Sequence, residues 1–143
     1  MSRMLAVCCL AVGVLAPSTA AATGSPMLDA LSRARASHGL APLHAAPGLH
    51  AVAASQSRRV LRRKAFVHGG RMNAPGFSSV GEAMALMRGW STRPRAVVRL
   101  WLHSPRHRGL VLSPRFAYAG IGRARGRFGG RAATVWVVRF AGR

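Results

Sequence analysis

Only two of the 143 residues, Asp29 and Glu82, carry an acidic side chain, against 22 Lys and Arg. This imbalance constrains the fold more than any other feature. A chain with two acids cannot hold itself together by internal salt bridges, so its core must rest on apolar packing. Half the residues are hydrophobic, which is enough for one core of ordinary domain size. Paired-carboxylate chemistry of the glycosidase kind has almost no residues to work with. The formal charge of +20 attracts polyanions such as nucleic acid, anionic lipid and acidic cell-wall polymers. It is equally what a bias toward Arg codons on a solvated surface produces, and charge alone names no partner.

The N-terminus reads as a targeting segment. Arg3 supplies a positive start, Met4 to Ala16 is an uncharged apolar run, and Pro17-Ser18 breaks it before Ala20-Ala21-Ala22. Residues 1–22 are therefore expected to be a signal peptide and 23–143 a single domain; the alternative is an N-terminal membrane anchor. Cys8 and Cys9 lie inside the apolar run, so the remaining chain is expected to contain no disulfide. The expected location is secreted, periplasmic or the cell envelope.

The rest of the chain divides by its punctuation. Ser25-Pro26 starts a helix carrying Met27, Leu28, Leu31 and Ala34 at helical spacing, and Gly39 ends it. A second helix starts near Pro47, with Leu49, Val52, Ala53, Gln56 and Val60 on one face and Arg58, Arg59, Arg62 and Arg63 mostly on the other. Ala65 to His68 reads as a short extended piece. Residues 69–80, rich in Gly, Ser, Asn and Pro, read as a loop. A third helix is expected from a Thr92 cap and Pro94, with Val97, Leu100 and Trp101 making an apolar face, then a short turn after Ser104-Pro105 carrying His107. Phe116 to Gly122 and Ala133 to Phe140 read as the strands of a hairpin, with Arg125 to Arg131 as its turn.

Several of these pieces, in this order, resemble bacterial members of the CAP superfamily, which joins cysteine-rich secretory proteins, venom antigens and plant pathogenesis-related proteins. Leu31 to Leu43 resembles the family's first helix and its "R..hGl.pL" ending, and Leu49 with Ala53-Ala54-Ser55 its second helix. Phe66-Val67-His68 resembles "F.H", and Gly81-Glu82-Ala83 resembles "GEN" with Ala in place of Asn. Trp101 to Arg108 is similar to "W..SpgHR", with Arg106 in place of Gly. Leu110 to Gly122 is similar to "nil.p.f..vGvG", and Val135 to Phe140 resembles the strand that closes the sheet. The resemblance implies an α+β fold, a three-layer α-β-α sandwich with a central antiparallel sheet. The segment between residues 69 and 80 is shorter than the family's usual one.

The resemblance also implies a site. His68 and His107 match the family's cavity histidines and Glu82 its first glutamate. No acid stands where the second usually falls, and His103 is a further imidazole expected near the cavity. Neutral imidazoles and a carboxylate suit zinc, so His68, His107 and Glu82 are the candidate metal ligands and zinc the candidate cofactor. A His–Glu pair also suits acid–base work. The plainer alternative is a hydrogen-bonded network that holds loops to the sheet. His38, His44 and His50 match no site motif, and Trp90, Trp101 and Trp136 are expected in the core or a cavity wall.

Three functions fit these residues. The first is an extracellular binding module whose His/Glu cavity, or a groove beside it, takes a small ligand, lipid, peptide, glycan or metal. The second is a metal-dependent hydrolase using the His–His–Glu set. The third is a cationic binder of envelope polymers or nucleic acid, acting by charge alone. Non-specific polyanion binding is expected in every case, and no specific nucleic-acid target.

Overall fold

Pro26 opens the first helix, α1 (Pro26–Ala36), and Gly39, with a φ of 70°, lies just past its end. A computed structural model describes residues 25–70, 74–90 and 93–143. The expected signal peptide and the capping role given to Thr92 lie outside the described residues. Two residues of strand, β1 (His44–Ala45), follow the proline link and lead into α2 (Pro47–Arg63). Lys64 closes α2 in the left-handed conformation, at a φ of 50°. An irregular stretch carries the chain to β2 (Ser79–Arg88). Then come α3 (Pro94–Leu102), α4 (Pro105–Val111) and a hairpin of β3 (Tyr118–Phe128) and β4 (Arg131–Gly142).

The four strands form one sheet in the order β1-β3-β4-β2. The three long strands are antiparallel, while β1 pairs with β3 in parallel, so the sheet is mixed at one edge. Successive side chains along a strand point to opposite faces. On one face Met84, Val135 and Val137 pack with Ala53 and Val60 of α2. On the other, Ala83, Ala85, Trp136, Val138 and Phe140 pack with Met27 and Leu31 of α1, Val97 and Trp101 of α3 and Val111 of α4. These are the three layers of the α-β-α sandwich. The closeness of α2 to β3 depends on Gly120 and Gly122, where a Cβ would collide with the α2 backbone at Leu49 and at Ala53.

Arg35 shows how a chain with two acids satisfies a buried cation. It is 2% exposed and has no carboxylate partner. Its guanidinium donates instead to four carbonyls, those of Ala41, Val111, Ser113 and Phe116, at 2.8–2.9 Å. The five donors of a guanidinium make this possible. The bonds tie the end of α1 to the end of α4 and to the segment that enters β3.

Three sequence expectations change. The Gly/Arg stretch is mostly strand: Arg123, Arg125 and Arg127 are exposed on β3, and the turn shrinks to Gly129 and Gly130, both at positive φ. Alternation explains this, since each Arg reaches solvent while Ala124 between them turns inward. The second change is β2, a strand where the sequence reading names none, which takes the last residues of the expected loop. The third is Trp90, which follows the positive-φ Gly89 at the end of β2 and is 55% exposed rather than in the core.

Candidate functional site

Glu82 lies near the start of β2, two residues before Met84, and so on the sheet face that α2 covers. Its side chain is fully buried. One oxygen, Oε1, accepts from His68 Nδ1 at 2.8 Å and from the Gly69 backbone N–H at 3.1 Å. A carboxylate only accepts, so Nδ1 carries the His68 proton. The other oxygen, Oε2, lies 2.6 Å from Nε of Arg139, the residue directly across on β4. The N–H is not aligned for a hydrogen bond, and the contact is one of charge.

The His68–Glu82 pair therefore forms as the motif positions imply, and Arg139 joins it. The His68 ring is half exposed, at 53%, and sits on the irregular stretch after α2. Gln56 anchors that stretch by donating from Nε2 to the Val67 carbonyl at 2.8 Å. A Cβ at Gly69 would meet Arg139 Nη2 at 2.6 Å and Gln56 Oε1 at 3.2 Å. Glycine at 69 lets the backbone come close enough to donate to Glu82.

His107 belongs to the other layer. It sits on α4, whose neighbour Leu110 packs with the face of β2 opposite α2. Its Nδ1 lies 3.0 Å from Ser104 Oγ, and its ring centroid 6.4 Å from that of Trp101. Trp101 in turn donates from Nε1 to the Met84 carbonyl at 3.1 Å. Burial lowers the His107 pKa below the ordinary 6.5, and the nearby His68 and Arg106 lower it further. His107 is thus close enough to feel His68, and it is neutral at pH 7. His103 is exposed and its Nδ1 contacts the Arg99 carbonyl at 2.8 Å, one turn back on its own helix.

Among the described residues, no three His, Cys, Asp or Glu side chains come together in a way that could hold a metal ion. The donor set explains this. Both oxygens of Glu82 are engaged, one of them by a permanent cation, and a guanidinium beside the carboxylate repels a divalent ion. The residues around Glu82 do not fit zinc.

Arg139 is the site residue that sequence reading missed. The signal was present: a single charge inside the apolar run Val135 to Phe140, with Val137 two residues before it on the same face. An inward Arg needs a partner, and the chain offers only two acids.

Around this centre lie two hollows. One, of about 350 Å³, is lined by Pro47, Leu49, Val52, Phe77 and Val80 among others, with Arg139 its one charged residue. The second, of about 300 Å³, is lined by Val52, Ser55, Gln56, Arg59, the backbone at Gly69 and Gly70, and again Arg139.

Helices on both faces of a four-stranded mixed sheet, with a His–Glu pair at its β2 edge, define an α-β-α sandwich of the CAP type. The model of the CAP family, described as the cysteine-rich secretory protein family, matches residues 28–140, and the chain belongs to that family. Solved structures agree on the fold. The chain is similar to an outer surface protein from Borrelia burgdorferi, with a TM-score of 0.64 and 19% identity over 82% of this chain and 90% of that one. It is similar to an extracellular protein containing a SCP domain from Bacillus anthracis, with a TM-score of 0.64 and 20% identity over 82% of this chain, but spans only 39% of that longer protein. A cysteine-rich secretory protein from Staphylococcus aureus gives a TM-score of 0.57 and 11% identity, over 82% of this chain and 37% of that one. A comparison with curated proteins finds no match.

Proposed function

We propose that the protein is an exported binding module, and that its Glu82 centre is a structural floor for a ligand groove rather than a catalytic or zinc site. The observation that carries this reading is the engagement of Glu82. With Oε1 held by His68 and the Gly69 amide, and Oε2 by Arg139, the one buried carboxylate already has a partner at each oxygen and offers neither to a metal. His107 has a serine hydroxyl, that of Ser104, and not a carboxylate at its Nδ1, so no acid orients it as a base. Export is supported by the apolar N-terminal segment and by similarity to proteins described as extracellular or outer-surface. No helix among the described residues is long and apolar enough to cross a membrane.

Metal analysis tests this directly. Protein saturated with zinc and then dialysed is expected to retain no stoichiometric metal and to show no zinc-dependent hydrolysis of ester or peptide substrates. One tightly held equivalent that disappears in both His68→Ala and His107→Ala would reverse the reading in favour of the hydrolase.

The cationic surface supports a second, weaker activity. Arg58, Arg59, Arg62 and Arg63 line the exposed side of α2, and Arg123, Arg125, Arg127 and Arg131 the outside of the hairpin. They make the protein an adhesive for polyanions at low salt, without selectivity, because the attraction is long-range and driven by counterion release. Selective binding to one polymer at physiological salt would raise this activity above the groove.

A further inference from the structure

We infer that a third hollow, on the edge of the sheet away from Glu82, binds a small phosphate dianion, free or as a phosphomonoester. This goes beyond the binding-module reading and uses neither the Glu82 cluster nor the groove beside it. Past Ala119, where the pairing with β1 ends, β3 is the outer strand. There a hollow of about 400 Å³ opens between the starts of α1 and α3, one stripe of α2, and Ile121, Arg123 and Trp136 of the hairpin. The stripe is His50, Ala54 and Arg58, four residues apart and so on one line of the helix. The small Ala54 leaves room between the imidazole and the guanidinium. Arg123 supplies a second guanidinium from β3. Among the described residues neither Arg58 nor Arg123 has a carboxylate partner. No acidic residue lines the hollow; Asp29, in the first turn of α1, is not one of its walls.

Two helices begin at this hollow. Ser25 and Pro26 open α1, Pro94 opens α3, and all three line it. The amides at a helix start carry a partial positive charge and favour an anion. Ser25 makes no side-chain cap to α1, so the cap does not answer those amides. Trp136 is an independent sign of a missing acceptor. It is 4% exposed and walls the hollow, and its indole N–H is buried with no partner among the described residues. A buried indole N–H ordinarily finds one. The Arg123 guanidinium lies over the same ring, 5.4 Å from its centroid. Cations, helix starts and an unanswered N–H thus face one space from different walls. A tetrahedral dianion with several acceptor oxygens meets that arrangement better than a planar carboxylate with one charge.

Titration calorimetry at neutral pH and physiological salt tests the site, with glycerol 3-phosphate and inorganic phosphate as dianions, acetate as a monoanion and glycerol without charge. The mature protein is expected to bind one equivalent of phosphate in at least one of the two forms, and the tighter form identifies the ligand as ester or free ion. Acetate and glycerol are each expected to bind about tenfold more weakly or worse, the size of one lost charge-assisted contact. Arg58→Glu and Arg123→Glu reverse a charge at the hollow, on exposed positions where folding is not at stake, and are each expected to weaken binding by about tenfold or more. Arg115→Glu, exposed and outside the hollow, makes the same change in net charge and is expected to leave binding unaltered. In NMR spectra the indole N–H signal of Trp136, assigned with Trp136→Phe, is expected to move as phosphate saturates the protein, while that of Trp90 stays in place. Equal losses in all three Glu variants would overturn the inference, because general charge would then explain the attraction. So would acetate binding as tightly as phosphate, an unmoved Trp136 signal, or no binding of either phosphate. Each of these failures leaves the reading of the Glu82 centre intact, because the two sites share no residue.

Discussion

Glu82 on β2 and Arg139 on β4 stand directly opposite each other in the antiparallel register, with Arg139 Nε 2.6 Å from Glu82 Oε2 and both side chains buried. One of only two acids in the chain is spent on this contact. Removing either partner leaves the other as an uncompensated buried charge. Glu82→Gln and Arg139→Met are each expected to destabilise the protein by about 3–5 kcal/mol. The double variant is expected to lose clearly less than the sum, since neither charge is then stranded. Urea denaturation of the four proteins measures the coupling, and strict additivity would show that the pair is not energetically linked.

The packing of α2 on the sheet makes a second prediction. At Gly122 a Cβ would strike the backbone at Ala53, and a helix backbone cannot step aside as a side-chain tip can. Gly122→Ala is expected to cost about 1–3 kcal/mol by overpacking. Gly109→Ala, where a Cβ meets nothing within 4 Å, serves as the control and is expected to be neutral or slightly stabilising, as Gly-to-Ala changes in helices usually are. Thermal unfolding of both variants gives the comparison. Equal melting temperatures would contradict the close approach of α2 to β3.

Arg35 is expected to be as intolerant as a core aromatic. Arg35→Met keeps much of the stem but strands four carbonyls that accept from the guanidinium. Hydrogen bonds to a charged group are worth about 1.5–3 kcal/mol each. A loss of at least about 3 kcal/mol is therefore expected. Arg35→Lys restores the charge but not the fork, and is expected to recover only part of it. Full recovery with Lys, seen in denaturant titrations, would mean that charge alone and not the four-way bonding holds this corner.

His107 gives the pH dependence. Its folded-state pKa is lowered, chiefly by burial and then by the positive fields of His68 and Arg106. The unfolded chain takes up this proton first, near the ordinary value of about 6.5. The associated stability is present in full above that value and is lost as pH falls from there through the lower folded pKa. His107→Gln is expected to flatten the dependence of unfolding free energy on pH below about 6.5 relative to the unaltered protein. NMR titration of the ring should place its midpoint below that of a free histidine; a midpoint above it would refute the assignment.

Local chemistry fixed where the elements begin and end. Pro26, Pro47, Pro94 and Pro105 each open a helix, because proline pre-sets φ and lacks an N–H that the first turn would leave unpaired. The β-branched and aromatic run of Val135 to Phe140 marked β4, and the ordered motifs marked the family. Strand β2 was less legible, because Glu82-Ala83-Met84-Ala85-Leu86-Met87 consists of good helix formers. Pairing with β4 over ten registered residues overrode that preference, and propensity is too weak to compete with a buried ladder. The site divided in the same way. The motifs named His68, Glu82 and His107, but no feature of the linear sequence could say from which layer each would come. Glu82 turns toward α2 with His68, while His107 rides on α4 in the opposite layer. Arg139 takes the place beside Glu82 because the antiparallel register of β4 on β2 brings it there from far along the chain. Residue types dictate what each group can do; which groups meet is a matter of register and layer, and these exist only once the sheet has formed.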